Sequence, residues 1–190
     1  MKKLLLSTLI AASAVSATAN AADYVIDTKG AHASIEFRIS HLGVSYVAGR
    51  FNTFEGEFSY DSKNAADASV EVTVETSSID SNHAERDKHL RSGDFLDVAK
   101  FPTATFKSTS YTPASDTTGT LVGDLTLHGV TKPLTVEVSK VGEGKDPWGG
   151  YRAGFTGTGE IKLKDFGINY NLGPASETLY LDIIIEGIAK

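Results

Sequence analysis

Cysteine is absent from the chain. An exported protein without it folds on burial and backbone pairing alone, and thiol chemistry and cysteine-ligated metal sites are excluded. Long apolar runs are scarce as well: beyond the N-terminus nothing approaches the ~20 consecutive apolar residues that span a bilayer. Neither a GxSxG elbow nor a GxxxxGK[ST] phosphate loop occurs, which removes two common routes to hydrolase and nucleotide chemistry. Positive charge is in deficit, with 18 Lys and Arg against 24 Asp and Glu. An acidic surface disfavours nucleic acid and anionic membranes as main partners.

What is present begins with MKKLLLSTLIAASAVSATANA, in which two lysines precede an apolar stretch and the A-x-A site Ala19-Asn20-Ala21. This pattern is a secretory signal and not a transmembrane anchor. Cleavage is expected after Ala21, giving a signal peptide over 1–21, a single domain over 22–190 and a periplasmic location. Removing 21 of the 190 residues leaves 169, and losing Lys2 and Lys3 takes the net charge from −6 to −8. That length suits one domain with a substantial core.

Through most of the mature chain apolar residues recur at every second position, the period of a half-buried strand. Ile35, Phe37 and Ile39 do so, as do Val70, Val72 and Val74, then Leu121, Leu125 and Leu127. Leu134, Val136 and Val138 repeat the pattern, and Leu179, Leu181, Ile183 and Ile185 close it. Further strands are expected over 51–60, 103–111 and 151–163. The result is an all-β chain of about eight antiparallel strands, arranged as a sandwich or a closed barrel. Gly154, Gly157 and Gly159 within one strand favour the barrel. They mark sharp coiling at a corner, room for a ligand, or both.

One stretch reads as helix. Asn82 with Glu85 forms a capping signal and Gly93 a stop, so a helix of about three turns is expected over 82–92. His83 and His89 are six residues apart, roughly 120° around a helix, and cannot grip one metal from one face. Leu90 is the only large apolar residue on the helix, so attachment is expected to be thin and to come from Phe95, Leu96 and the 101–102 segment beyond it. The charged side chains are either a solvated face or a cluster at a barrel mouth that meets a polar head group. His83, Arg86, Lys88, His89 and Arg91 are the candidates there, together with Trp148 in the 146–150 turn, which is expected to plug a barrel end. His32, His41 and His128 fall on strand ends or turns and form no catalytic set.

Four motifs, in order and across essentially the whole mature chain, resemble the YceI-like family: HLGVS (41–45) with Gly49, Phe51, Phe54 and Gly56; NHAERDKHLRSGDFLDVAKFPTATF (82–106); GDLTLHGVTKPLT (123–135); and DPWGGYRAGF (146–155). Leu96 departs from the second aromatic that many members carry there. The resemblance implies an eight-stranded antiparallel, lipocalin-like β-barrel whose interior holds a polyisoprenoid, a quinone or a related amphiphile. It implies a carrier and not an enzyme, with no cofactor or metal besides the bound lipid. Alternation then assigns the tail to Ile35, Phe37, Phe54, Phe58, Val72, Phe106, Leu125, Val136, Phe155, Ile161, Leu181 and Ile183. Two alternatives stand beside this reading. One is a filled barrel that works through its surface or as a homodimer, with Tyr180, Ile184 and Ile188 on an outward face; the other is a lipid-modifying hydrolase using His83, His89 and Arg86.

Overall fold

The computed structural model describes residues 22–190, and the expected signal peptide lies outside the described residues. The described chain runs β1 (Ala22–Ile26), β2 (Ser34–His41), β3 (Ser45–Phe51), β4 (Phe54–Tyr60), β5 (Ser69–Glu75), β6 (Ile79–Asp80), α1 (Ala84–Leu90), β7 (Thr103–Pro113), β8 (Thr118–Leu127), β9 (Val130–Lys145), β10 (Tyr151–Lys162) and β11 (Thr178–Ala189). Several of these are halves of one strand. β1 and β2 follow each other along one edge of β11, β4 and β3 lie beside them, and β5 and β6 lie beside those. The interruptions, at 27–33, 52–53 and 76–78, fall next to one another.

Counting each pair of halves as one strand leaves eight, each antiparallel to the next in chain order, and β11 closes the ring on β1 and β2. The barrel chosen by glycine usage is therefore the one formed, and full closure removes the exposed edges of an open sheet. Alternation drives it. On β11, Leu179, Leu181, Ile183 and Ile185 point inward to the cavity while Tyr180, Asp182 and Ile184 face out. His128 and Gly129, both with positive φ, make the tight turn from β8 to β9.

The inner side chains gather into two clusters. At the end where α1 lies, Phe37, Ile79, Phe95, Leu96, Leu127, Phe166 and Ile168 are buried together. At the end where β9 turns into β10, Tyr24, Ile26, Phe58, Tyr60, Val72 and Ala153 form the second.

The helix differs from expectation in length and in anchorage. It covers only Ala84–Leu90, capped by His83, whose Nδ1 accepts the Arg86 N–H at 3.2 Å. Asn82 lies outside, at φ 60°, because its N–H turns back to the Asp80 carboxylate at 2.8 Å. Gly93 is not the left-handed stop; the chain leaves the helix through Arg91 in right-handed conformation, and Asp97 holds the positive φ. Nor is attachment confined to Leu90 and the residues after it. Buried Asp87 accepts from the Ser81 N–H at 2.8 Å and the Ser81 hydroxyl at 2.5 Å, while Arg91 donates to the carbonyls of Ser77 at 2.7 Å and Ile79 at 2.5 Å. These bonds occupy backbone groups along β6, whose only strand partner among the described residues is β3. The helix thus completes the barrel wall where the sheet stops.

Candidate binding cavity

Between the two clusters lies a cavity of about 290 Å³, near the lower bound of the ~300–1,000 Å³ usual for ligand pockets. Eleven of the twelve residues assigned by alternation line it: Ile35, Phe37, Phe58, Val72, Phe106, Leu125, Val136, Phe155, Ile161, Leu181 and Ile183. Phe54 does not; at the start of β4, beside the strand interruption at 52–53, it packs against the Tyr24–Phe58 cluster. The wall also takes Phe51, Val74, Leu121, Val138 and Leu179 from the strands, and Leu90, Phe95 and Leu96 from the helical cover. The surface facing the cavity is almost wholly hydrocarbon, so it has little to offer an ion and much to offer a chain of methylenes.

Glycines shape this interior through close approach. Gly187 lies under the Phe58 ring, Gly49 under Phe37 and Gly123 under Phe106, and a Cβ at Gly123 would stand 2.5 Å from Phe106 Cζ. Two of the three glycines of β10 divide the two sequence readings between them. Gly157 lines the cavity, where a Cβ would come within 2.9 Å of Val136 Cγ1, and Gly154 stands at a bulge in the β9–β10 pairing.

The six head-group candidates are not brought together. Arg86 donates to the Ser81 hydroxyl at 2.7 Å and to its carbonyl at 2.5 Å, and Arg91 is spent on the carbonyls already named. His83 is the helix cap, His89 pairs with Asp94 at 2.9 Å and packs edge-on to Phe95 and Tyr170, and Lys88 is exposed. Trp148 is at the other end of the barrel and 79 % exposed, so it plugs nothing. Its turn is made by Asp146, which accepts the N–H groups of Trp148 and Gly150, so the indole is left lying over Arg152 on the outer wall. His32, His41 and His128 lie apart: His32 meets Asp27, His128 meets the Phe166 carbonyl, and His41 is exposed on the β2–β3 hairpin.

Arg152 organises a charged cluster on that outer wall. It reaches Asp27 at 2.7 Å, Glu186 at 2.6 Å and Asp146 at 3.0 Å. Asp27, His32 and Glu186 are spaced as metal ligands could be, but the guanidinium already bonds both carboxylates and brings the charge an ion would supply. The Arg152 guanidinium, then His32 and the Gly30 N–H, hold the Asp27 carboxyl at about 2. An unfolded carboxyl titrates near 3.8, so the stability gained from ionised Asp27 is complete above that pH and is lost as pH falls through about 2. In Arg152→Met the folded carboxyl rises back toward 3.8, so the acid loss from this group is expected to shrink and the urea midpoint to fall less between about pH 4 and 2; an unchanged acid profile would rule out this coupling.

On the outward face considered for dimer contacts, Tyr180 is covered by Arg38, whose guanidinium lies 4.7 Å from its ring and bonds Asp182 at 3.1 Å. Ile184 is half-exposed and Ile188 partly buried.

Sequence reasoning missed a polar cluster at the mouth of the barrel, at the end opposite α1. Lys140 and Glu143 pair at 3.0 Å with side chains only 15 % and 23 % exposed, and the ammonium lies 5.0 Å from the centre of the Tyr60 ring. Tyr60 and Tyr111 both line the cavity. Burial opposes the charge on Lys140, yet Glu143 and Tyr60 hold it above its ordinary value. Burial likewise pushes the Tyr24 and Tyr111 hydroxyls up.

Comparison with known proteins places these features. The sequence model of the YceI-like domain family matches residues 24–186. UPF0312 proteins of Shewanella denitrificans and of Shewanella baltica strain OS185 are 60 % and 59 % identical, each over the full length of both chains. Among solved structures, the Campylobacter jejuni YceI protein superposes with a TM-score of 0.72 at 29 % identity, over 80 % of this chain and 90 % of that one. Burkholderia cenocepacia BcnA gives 0.74 at 21 %, over 85 % and 98 %. A polyisoprenoid-binding domain from Saccharophagus degradans gives 0.61 at 15 %, over 90 % and 99 %, a likeness of fold.

Proposed function

From the premise that this chain belongs to the YceI-like family, we propose that it carries or sequesters a lipid in the periplasm, exported by the 1–21 signal and holding a long apolar chain such as a polyisoprenoid or quinone tail inside the barrel. The observation that carries this reading is the cavity itself, closed at one end by Phe95 and Leu96 and walled by carbon. A tail hiding about 500 Å² of apolar surface gains on the order of 12 kcal/mol, before the costs of ordering and association. Tight but reversible holding follows, as transport through water requires. The Saccharophagus relative of fold is described as binding polyisoprenoid, which agrees with the ligand class proposed.

Binding without turnover is the reading favoured by the spent state of Arg86 and Arg91 and by the capping role of His83. Native mass spectrometry of the protein purified from periplasm, followed by solvent extraction, is the test. A near-stoichiometric isoprenoid or quinone recovered unchanged is the expected result. An empty barrel that also refuses added isoprenoids would overturn the proposal, and product accumulating from added lipid would turn it toward a hydrolase.

A further inference from the structure

We propose that Lys140, Glu143, Tyr60 and Tyr111 form the head-group site of the barrel, and that it takes a neutral head carrying hydroxyl or carbonyl oxygens in preference to a phosphorylated one. This rests on the lipid-holding reading above.

Two bulges build the cluster. In a regular strand residues three apart face opposite sides, so Lys140 and Glu143 could not both point inward. The β9–β10 pairing slips between Gly154 and Phe155: Lys140 is opposite Phe155 and Glu143 opposite Ala153, both inward positions, and Val141 is the extra residue, turned out to solvent. On β7 the pairing with β8 slips between Ser108 and Ser110, leaving Thr109 extra and Tyr111 opposite inward Leu121. Both irregularities serve the same end of the same barrel. The first sets Lys140 beside the Tyr60 ring at the mouth of the cavity, and the second brings Tyr111 onto a wall that is otherwise hydrocarbon, where an unrewarded polar group costs stability.

The charge arithmetic selects the head. The Lys140 ammonium has three donors and spends one on Glu143 and one on the Tyr60 hydroxyl, leaving one for an acceptor oxygen. The pair sums to zero, and among the described residues no other cation forms a salt bridge with Glu143. A phosphate would meet one cation already matched and a carboxylate beside it. Phosphate sites draw instead on arginine forks, and the five arginines stand elsewhere: Arg152 on three carboxylates outside the wall, Arg38 on Asp182 on the outward face of β2, Arg86 and Arg91 on carbonyls at the far end, and Arg50 exposed on β3 next to β6. A head at the cluster places its tail past Phe58 and Phe155 toward the Phe95–Leu96 closure, along the length of the cavity.

Three ligands with one tail and different heads test this: farnesene, farnesol and farnesyl phosphate, measured on the mature chain by equilibrium dialysis with mass-spectrometric quantitation. Farnesol is expected to bind at least ~10-fold more tightly than farnesyl phosphate. Lys140→Met should weaken farnesol ~10-fold, the size of a lost charged hydrogen bond, and leave farnesene within about twofold, since farnesene contacts only the hydrocarbon wall. Tyr111→Phe, which removes one hydroxyl and keeps the ring, is expected to weaken farnesol alone, and decides the matter if Lys140→Met does not fold. Equal or tighter binding of farnesyl phosphate would overturn the neutral-head preference. Variants that weaken farnesene and farnesol alike, or neither, would overturn the site. If the wild-type protein binds no farnesene, it is the lipid-holding reading that fails, and this proposal with it.

Discussion

Val138→Trp is expected to abolish uptake of a lipid tail while the barrel stays folded. Val138 lines the cavity and lies directly across from Gly157 on β10. That pairing matters because the protein already stacks inward rings over inward glycines, with Phe37 on Gly49, Phe58 on Gly187 and Phe106 on Gly123. At Gly157 that seat is partly taken by Val136, whose Cγ1 would lie 2.9 Å from a Cβ there, so an indole at 138 projects instead into the cavity of about 290 Å³. Overpacking a well-filled core costs about 1–3 kcal/mol, but here the added ring enters an existing void and recovers apolar burial, so the urea midpoint should change little. Farnesol and farnesene should both lose at least ~100-fold, about 2.7 kcal/mol, since each needs that volume for its tail. Undiminished binding of both would mean that lipid does not occupy the interior. The pattern also separates this variant from Lys140→Met, which is expected to spare the headless ligand.

How much of this was readable in the sequence depends on whether a residue's direction follows from spacing. Where strands are regular it does. Alternation on β2, β4, β5, β7, β8, β9, β10 and β11 put eleven of twelve chosen side chains on the cavity wall, because the period of two is set by the backbone and a closed barrel has one inside. Where strands are broken or bulged it does not. β3 carries Gly49 at an inward position, so its alternation lacks an apolar beat, and the seat it provides for Phe37 belongs to another strand. Lys140 and Glu143 face the same way only through the extra residue Val141, and no spacing rule reports an extra residue. The nearest signal is the glycine-flanked Gly142-Glu143-Gly144, which weakens a strand where a bulge would be tolerated.

The helix shows a different limit. Its charges were legible as a cluster, but their partners are main-chain carbonyls of Ser77, Ile79 and Ser81. Any residue offers a carbonyl, so sequence gives no hint of which ones an arginine will find. Trp148 is instructive in the same way. A lone tryptophan in a turn suggested a plug, whereas Asp146 fixes the turn and Arg152 supports the indole from the outer wall.

Phe58→Ala and Gly187→Ala are each expected to destabilise the protein, and together to cost less than their sum. The Phe58 ring stacks on Tyr24 with centroids 4.7 Å apart and planes at 11°, meets Phe155 edge-on at 5.6 Å, and reaches across β1 to cover Gly187 on β11. Deleting it should cost about 3–5 kcal/mol, because a buried aromatic is lost and the space left beside Tyr24 and Phe155 cannot fully collapse. Adding a methyl at 187 places a Cβ 2.6 Å from Phe58 Cζ and 2.9 Å from Tyr24 Cβ, which forces the ring off its seat at about 1–3 kcal/mol. In the double variant the methyl enters the space the ring has vacated. The two effects should therefore couple by at least ~1 kcal/mol in favour of the double variant, beyond the ~0.3–0.5 kcal/mol scatter of independent sites. Urea unfolding of the four proteins closes the cycle. Strict additivity would mean that Gly187 is needed for the strand's own conformation and not for the ring above it, and the account of inward glycines as seats for inward aromatics would have to be given up at this end of the barrel. Coupling of the expected sign would extend that account to Gly49 and Gly123, which inward rings cover in the same way.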